Sequence, residues 1–167
     1  INQGMLALTD IRRIIDSGKP IVWTMHDMWP CTGICHHARQ CNKYQQECKN
    51  CPYLLNGGSP KDLSNKVFQQ KKDLYKNSSI VFVTCSQWLK EQAEKSALLD
   101  KHMVINIPNP ININLFKPRN KQEARTRCNF PADKRIILFG AAKPTDKRKG
   151  VDYFIESCNL LVQKHPE

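Results

Sequence analysis

The segment SSIVFVTCSQWLKE, residues 78–91, joins a strand directly to a helix and decides the fold class. Its first half is β-branched and aromatic, which predicts a buried strand that ends at Ser86. Its second half continues as QWLKEQAEKSALL with helical character, and the Ser86 hydroxyl is suited to cap the first turn. A strand that leads into a helix in this way is typical of α/β proteins with parallel sheets.

The same alternation continues on both sides of this segment. Further strands are predicted at KPIVWTMHD (19–27), with its apolar run buried on both faces, at HMVINIPNPI (102–111) and at RIILFGAA (135–142). Further helices are predicted at 4–18, from SPKD (59–62) onward and at 151–165. In SPKD, Ser59 is expected as the N-cap and Pro60 as the first helical residue. The polar, basic stretch 112–134 predicts a linker or a short helix.

The composition is that of a basic globular protein. The 167 residues are 40% hydrophobic and 25% charged, with 26 Lys and Arg against 15 Asp and Glu, a net charge of +11. The basic residues are dispersed and lack interleaved aromatic residues, which favours solvated faces plus one anion site over nucleic-acid binding. No apolar run approaches the roughly 20 residues of a membrane span, and no secretory signal is evident, so a cytoplasmic location is expected.

Polar or small residues follow each predicted strand. Because ligands of parallel sheets bind at the carboxyl ends of the strands, these positions are the first candidates for a functional site. They are His26-Asp27, Cys85-Ser86, Asn109-Pro110 and Gly140-Ala141.

Four segments in this order resemble the nucleotide-sugar-dependent glycosyltransferases of family 4, which have the GT-B fold. They are VWTMHDMWPCTG (22–33), VFVTCSQWLKE (81–91), INIPNPININLFKP (105–118) and ILFGAAKPTDKRKGVDYFIES (137–157). The pattern HDMWP.TG.CH, followed by further cysteines, is similar to transferases of bacterial capsule and exopolysaccharide gene clusters. The resemblance covers nearly the whole chain.

The resemblance implies two Rossmann-like domains with parallel sheets. Residues 1–115 would be the end of the N-terminal, acceptor-side domain, including a Cys-rich loop at 31–54. Residues 116–134 would be a linker, and 135–167 the start of the C-terminal, donor-side domain. The family's Glu-x7-Glu pair and its N-terminal glycine-rich loop are not in this sequence. The chain is therefore expected to be the central part of a longer enzyme.

The resemblance also implies catalytic roles at the end of the first strand. His26 matches the active-site histidine beside the donor sugar, where an imidazole can exchange hydrogen bonds with a sugar hydroxyl near neutral pH. Asp27 would orient His26 or contact the acceptor, and a role as a loop cap is the alternative.

Donor binding is implied for four residues. Lys149 matches the lysine of the family's KG motif, which binds the donor phosphate at a helix start. Lys143 stands where many relatives have an arginine, so it supplies a point charge rather than a bidentate fork. Gly140 matches a small residue near the donor, and Asn109 is expected to face the cleft. A solvated basic loop is the alternative for Lys143 and its neighbours.

The implied activity is that of a retaining, hexosyltransferase-type enzyme without a catalytic metal. It would move a sugar from a nucleotide-diphosphate sugar to a glycan or lipid-linked acceptor in surface polysaccharide biosynthesis, with peripheral association at the inner face of the membrane. No nucleic-acid partner is expected, although a zinc-stapled basic nucleic-acid-binding module is the alternative function.

The Cys-rich loop predicts a metal site of its own. Cys35, Cys41, Cys48 and Cys51 have the spacing C-x5-C-x6-C-x2-C. Four thiolates about 2.3 Å from zinc would form a closed, structural site that braces the loop behind His26. Disulfides, unligated thiols and a redox pair formed by Cys48 and Cys51 are the alternatives.

Overall fold

The computed structural model describes residues 5–55 and 57–165, which form two units that divide after residue 111. The first unit contains α1 (Leu8–Asp16), β1 (Ile21–Met25), α2 (Leu63–Tyr75), β2 (Ile80–Thr84), α3 (Gln87–Glu94) and β3 (Val104–Asn106). The second contains α4 (Lys121–Arg127) and α5 (Val151–Lys164). Single 3-10 turns lie at Trp29–Cys31, Lys43–Gln45 and Lys147–Lys149.

The strands of the first unit form a parallel sheet in the order β1-β2-β3. The prediction of an α/β fold with parallel strands is confirmed. Met25 pairs with Thr84, and Thr84 pairs with Asn106. All three strands therefore end at one edge of the sheet, where parallel α/β proteins place their ligands.

Aromatic rings form the centre of the core. The Phe82 ring on β2 is fully buried, and its centroid lies 5.8 Å from Trp23 on β1 and 5.6 Å from Tyr75 on α2. Trp23 and Tyr75 meet edge to face at 6.2 Å. Such ring pairs add to the stabilisation that comes from burial alone.

The expectation that β1 is buried on both faces is wrong. The Val22 side chain is 68% exposed, and exposure alternates along the strand. Among the described strands β1 lies at the edge of the sheet. One of its faces packs on the core, which gives the two-residue alternation of a half-buried strand.

The start of α2 is also corrected. The helix begins at Leu63, and Asp62 is its N-cap, because the Asp62 carboxylate accepts a 2.9 Å hydrogen bond from the Asn65 N–H. A carboxylate satisfies the unpaired N–H groups of a first turn directly, so the cap lies three residues after Ser59. The cap predicted for α3 is confirmed, since the Ser86 hydroxyl oxygen accepts from the Leu89 N–H at 3.2 Å.

In the second unit the strand predicted at 135–142 is wrong, the helix predicted at 151–165 is confirmed as α5, and the stretch 112–134, predicted as a linker or a short helix, contains the short helix α4. The described part of this unit contains no strand, and Leu138 is 89% exposed. A single extended segment has no neighbour for its backbone N–H and C=O groups, so an apolar run alone does not make a strand. Phe139 packs on Phe154 of α5 at 5.0 Å between ring centroids.

Candidate functional site

The candidate site lies where the strands of the first unit end. His26 is the first residue after β1, and its side chain is exposed. Among the described residues nothing hydrogen-bonds to its imidazole. The ring is therefore available to a ligand at this edge of the sheet.

Asp27 is held by two hydrogen bonds, and neither involves His26. Its Oδ1 accepts from the Trp29 N–H at 2.8 Å, which caps the following 3-10 turn. Its Oδ2 lies 2.8 Å from Nδ1 of His36. A carboxylate in this position fixes the orientation of the imidazole and leaves Nε2 directed elsewhere. Asp27 is therefore paired with His36, a histidine for which no catalytic role was predicted.

The Cys-rich loop bridges the ends of two strands. The Met28 N–H donates to the His36 carbonyl oxygen at 2.9 Å, so the loop turns back onto the residues that follow β1. The next residue, His37, stacks on Trp88 of α3 with 5.8 Å between ring centroids and 15° between ring planes. Because α3 directly follows β2, His36 and His37 connect the carboxyl ends of both strands.

Lys71 anchors the turn behind His26 and Asp27. Its side chain is fully buried, and Nζ donates to the carbonyl oxygens of Trp29 at 2.6 Å, Thr32 at 2.9 Å and Gly33 at 3.0 Å. Nζ also lies 3.3 Å from the centre of the Trp29 ring. Three acceptors match the three donors of an ammonium group, and the indole face adds a cation–π contact.

Burial and neighbouring groups act in opposite directions on Lys71. Burial lowers the pKa of Lys71 to about 7, and the nearby groups Cys31, Cys48 and Asp27 favour the charged form. Lys71 was not predicted as part of the site, because it lies 38 residues or more from its carbonyl partners along the chain. A lysine in a helix gives no local signal that it will be buried.

Gly33 allows the turn to pack closely on α2. A Cβ atom at this position would collide with the backbone oxygen of Ser64 and would lie 3.1 Å from Cβ of Cys48. The Gly33 N–H also donates to Sγ of Cys48 at 3.3 Å. The turn, α2 and the second half of the Cys-rich loop therefore meet at this residue.

Asp62 joins the same loop to α2. Its Oδ2 accepts from the N–H groups of Cys51 at 2.8 Å and Ser59 at 3.2 Å, and its Oδ1 accepts from Ser64 at 2.6 Å. Burial alone would raise the pKa of Asp62, but these hydrogen bonds and the one from Asn65 outweigh it and lower the pKa to about 2.

The four cysteines predicted to bind zinc are brought into one neighbourhood, where each is a free thiol. Burial raises the pKa of Cys35, and the nearby thiols of Cys51 and Cys41 add to the increase. Burial also raises the pKa of Cys48 to about 11, with Cys35 and Cys41 again among the contributors. Within residues 5–55 and 57–165, however, no three Cys, His, Asp or Glu side chains converge as metal ligands. The zinc site stays a prediction.

The two lysines predicted to bind the donor lie in a loop of the second unit. Lys143 is exposed, and Lys149 is the exposed last residue of the turn before α5. Gly150 adopts a left-handed conformation with φ of 72° and is the N-cap of α5. The Lys149 charge therefore precedes the N–H groups of a 14-residue helix, an arrangement that favours anions.

One carboxylate balances part of this basic loop. Asp146 binds the Arg148 guanidinium at 2.6 Å and accepts from the Arg148 N–H at 3.0 Å. These hydrogen bonds lower the pKa of Asp146 to about 2. Arg148 is therefore occupied within the loop, whereas among the described residues no hydrogen bond engages the side chains of Lys143 and Lys149. The Lys149 charge also contributes to the lowered pKa of Asp146.

The other two predicted donor residues are exposed. Gly140 lies in the second unit, and a Cβ atom there would meet no heavy atom within 4 Å, so local packing does not require glycine. Asn109 lies in the first unit, three residues after β3. At the end of β3, Asn106 Oδ1 is buried and has no hydrogen-bond partner among the described residues.

Two curated proteins are similar to the chain. One is a D-inositol 3-phosphate glycosyltransferase from Thermobispora bispora, 34% identical over 65 residues, which cover 38% of this chain and 14% of the relative. The other is a 3-deoxy-D-manno-octulosonic acid transferase from Rickettsia conorii, 23% identical over 154 residues, which cover 84% of this chain and 30% of the relative. Both relatives are glycosyltransferases. The chain spans less than a third of the length of either.

No protein-family model and no solved structure matches the chain. In the part of the chain that the structure describes, no helix combines the length and the apolar character needed to cross a bilayer.

Proposed function

We propose that the chain is part of a glycosyltransferase of the GT-B type, which moves a sugar from a nucleotide-diphosphate sugar to a hydroxyl group of an acceptor. The similarity to two glycosyltransferases carries this proposal. It is supported by the parallel sheet and by an exposed histidine at its carboxyl edge.

In this proposal the first unit handles the acceptor and the reacting sugar. His26 contacts a hydroxyl group of the transferred sugar, for which an exposed imidazole is suited. Asp27 holds the loop and orients His36 through its two hydrogen bonds. Asn109 contributes a polar side chain after β3.

The second unit binds the donor diphosphate. Lys149 and Lys143 supply positive charge, and the first turn of α5 supplies free N–H groups. Together they stabilise the negative charge that develops on the departing diphosphate. Gly140 leaves room for the donor to approach the backbone.

The finer assignments extend the same proposal. The enzyme is a retaining, hexosyltransferase-type transferase without a catalytic metal, and its acceptor is a glycan or lipid-linked precursor of a surface polysaccharide. It acts in the cytoplasm at the inner face of the membrane. The motif HDMWPCTG followed by clustered cysteines supports the polysaccharide assignment.

Donor binding tests the proposal. Calorimetric titration of the protein with UDP, GDP and ADP is expected to reveal binding of at least one of them. Lys149→Ala should weaken that binding about tenfold or more, because a hydrogen bond to a charged group is worth about 1.5–3 kcal/mol. Lys147→Ala, which removes an equal charge from the same turn, is the matched control and should change affinity far less.

Other outcomes would contradict the proposal. Failure of all three nucleotides to bind would count against the donor site. Equal losses of nucleotide affinity in Lys149→Ala and Lys147→Ala would show that only the overall positive charge of the loop matters, not a specific contact of Lys149. Nucleic-acid binding with a steep salt dependence would favour the alternative module.

We also propose that Cys35, Cys41, Cys48 and Cys51 bind one structural zinc ion. Their spacing and their common neighbourhood support this proposal. Binding requires the thiols to turn toward one point, since the described side chains have no such arrangement. The ion would brace the Cys-rich loop and take no part in the reaction.

Metal analysis of the purified protein is expected to give one zinc per chain. Cys48→Ser should release most of it, whereas Cys128→Ser, at an exposed thiol of the second unit, should not. Absence of zinc, together with thiol reactivity that a chelator does not change, would contradict the site.

A further inference from the structure

Trp88 presents an aromatic surface at the carboxyl edge of the sheet. It is the second residue of α3, and its side chain is 50% exposed although Leu89 beside it is buried. The His37 ring lies nearly parallel to the indole, with 5.8 Å between the ring centroids. The described residues provide no acceptor for the indole N–H. The indole therefore retains both apolar surface and a hydrogen-bond donor for a ligand.

His36 presents a second recognition group beside this ring. Its Nδ1 is 2.8 Å from the Asp27 carboxylate, and its side chain is 48% exposed. When Nδ1 donates its hydrogen to the carboxylate, Nε2 of the neutral ring is a hydrogen-bond acceptor. The described residues do not occupy Nε2.

The two groups are linked through one loop. His36 and His37 are consecutive, and they contact the residues that follow two neighbouring strands, Asp27 after β1 and Trp88 after β2. The hydrogen bond from the Met28 N–H to the His36 carbonyl holds this part of the loop against the sheet. The surface is thus built by three separate segments of the chain.

We propose that Trp88, His37, His36 and Asp27 form a subsite for one pyranose ring of the acceptor. This inference rests on the proposed glycosyltransferase function and adds the class of group that its acceptor side recognises. The C–H face of a pyranose packs on the exposed indole of Trp88. A hydroxyl at the rim of the same ring donates to Nε2 of His36, and the indole N–H donates to a second oxygen.

The combination of an aromatic plane and a fixed acceptor selects a sugar. An indole alone also stacks with a nucleobase, which offers a flat π-face. A saturated ring with hydroxyls around its rim uses both the plane and the oriented imidazole. Binding pockets typically join apolar surface to a few placed polar groups in this way.

The test follows the indole N–H and backbone amide resonances of the full chain by NMR during titration with the methyl α-pyranosides of glucose, galactose and mannose, and the amide shifts report binding in variants that lack Trp88. At least one glycoside is expected to shift the Trp88 resonance, assigned through Trp88→Phe, in a saturable manner. Trp88→Ala should abolish binding. His36→Gln should weaken it about three- to tenfold, the effect of one lost neutral hydrogen bond.

Phe130→Ala is the matched control, because Phe130 is 51% exposed and lies in the second unit. It should leave glycoside affinity unchanged. Unchanged amide spectra at other positions show that each variant is folded. A variant that fails this check is replaced by Trp88→Phe, which should keep part of the affinity, and by Trp88→Gln.

Several results would overturn the subsite: no shift of Trp88 with any of the three glycosides, undiminished binding in Trp88→Ala, or a shift caused by UMP but not by glycosides. Nucleoside diphosphate titration separates this inference from the function on which it rests. Glycoside binding at Trp88 without diphosphate binding would preserve a sugar-binding surface and remove the transferase proposal. The reverse result would preserve the donor site and remove the subsite.

Discussion

At the scale of single residues, Lys71 shows how one buried charged group can hold the irregular turn formed by residues 29–33. Its ammonium group contacts three carbonyl oxygens and one indole face, all from the turn that follows His26 and Asp27. Without Lys71 the carbonyl oxygens of Thr32 and Gly33 would have no partner among the described residues, which is costly for buried groups. The Trp29 carbonyl oxygen also accepts from the Thr32 N–H at 3.3 Å. One side chain thereby replaces the backbone hydrogen bonds that this irregular turn cannot make for itself.

Replacing this lysine is expected to destabilise the protein strongly. Lys71→Met keeps much of the volume but leaves the Thr32 and Gly33 carbonyls unpaired and removes one of the two hydrogen bonds to the Trp29 carbonyl, so we expect a loss of about 3 kcal/mol in the free energy of unfolding. Lys72→Met, at an exposed neighbouring position, is the control and should change it by less than about 0.5 kcal/mol. Urea unfolding monitored by circular dichroism measures both, and equal effects would contradict the assigned role.

Lys71 also predicts a pH dependence. Its pKa in the folded protein is lowered to about 7, so above that pH the unfolded chain holds the proton more tightly than the folded one. Stability attributable to Lys71 should therefore rise from about pH 7 until the unfolded lysine titrates near pH 10.5. Urea unfolding across this range should show the rise in the wild type and lose it in Lys71→Met. A flat profile in both would show that Lys71 stays charged in the fold.

At the scale of elements, α2 contacts the structure around the candidate site at three points along its length. Its N-cap Asp62 binds the backbone at Cys51, its middle carries Lys71, and its end places Tyr75 in the aromatic core. The Tyr75 hydroxyl also donates to the Pro30 carbonyl oxygen at 3.3 Å. One helix thus fixes both ends of the segment between β1 and itself.

Asp62 predicts sensitivity to acid. Its pKa is lowered from 3.8 to about 2 in the folded protein, so its contribution to stability is present above pH 4 and is lost as the pH falls toward 2. Asp62→Asn should lower the melting temperature at pH 7 and flatten the acid side of the stability profile. Asp73→Asn is a control at an exposed carboxylate of the same helix. An acid profile unchanged by Asp62→Asn would assign the sensitivity to other groups.

At the scale of the whole molecule, the two units differ in how much they bury. The first has a continuous core that includes Phe68, Phe82 and Leu99. In the second, α4 and α5 contain no buried residue, and side chains such as Leu138 and Val162 are largely exposed. Stability that depends on apolar burial should therefore be concentrated in the first unit.

Hydrogen exchange measured by mass spectrometry should reveal this difference. Peptides that contain β2 are expected to exchange slowest, through global unfolding, because their N–H groups are paired and buried. Peptides from α4 and α5 should exchange at least about tenfold faster, since little packing opposes local opening. Equal protection of α5 and β2 would contradict this expectation.

The sequence alone was sufficient for features that depend on local pattern. The runs around Trp23 and Phe82 predicted strands, and Ser86 predicted a helix cap, because side-chain type and spacing determine these features directly. The run at Leu138 did not form a strand, because strand formation also depends on a neighbour that a local pattern does not supply. For the same reason, the contacts of Lys71 with residues 29–33 could not be predicted from local sequence patterns.

The candidate site was predictable to a similar extent. His26 was placed correctly at the end of β1, because the carboxyl ends of parallel strands are readily located. The pairing of Asp27 with His36 was not predicted, since it depends on how an irregular loop returns to the sheet. Asp27 directly follows His26 and lies nine residues before His36. This spacing does not reveal which of the two histidines its carboxylate contacts.

The contacts of the Lys71 ammonium group with residues 29–33 restrict how this protein can be engineered. The Cys-rich loop cannot be grafted onto another parallel sheet as a continuous segment, because its fold depends on a lysine that lies outside it on α2. A transplant should carry residues 26–75 together. For the same reason, directed evolution of the loop should find that changes at Trp29 are tolerated mainly when Lys71 changes in the same clone.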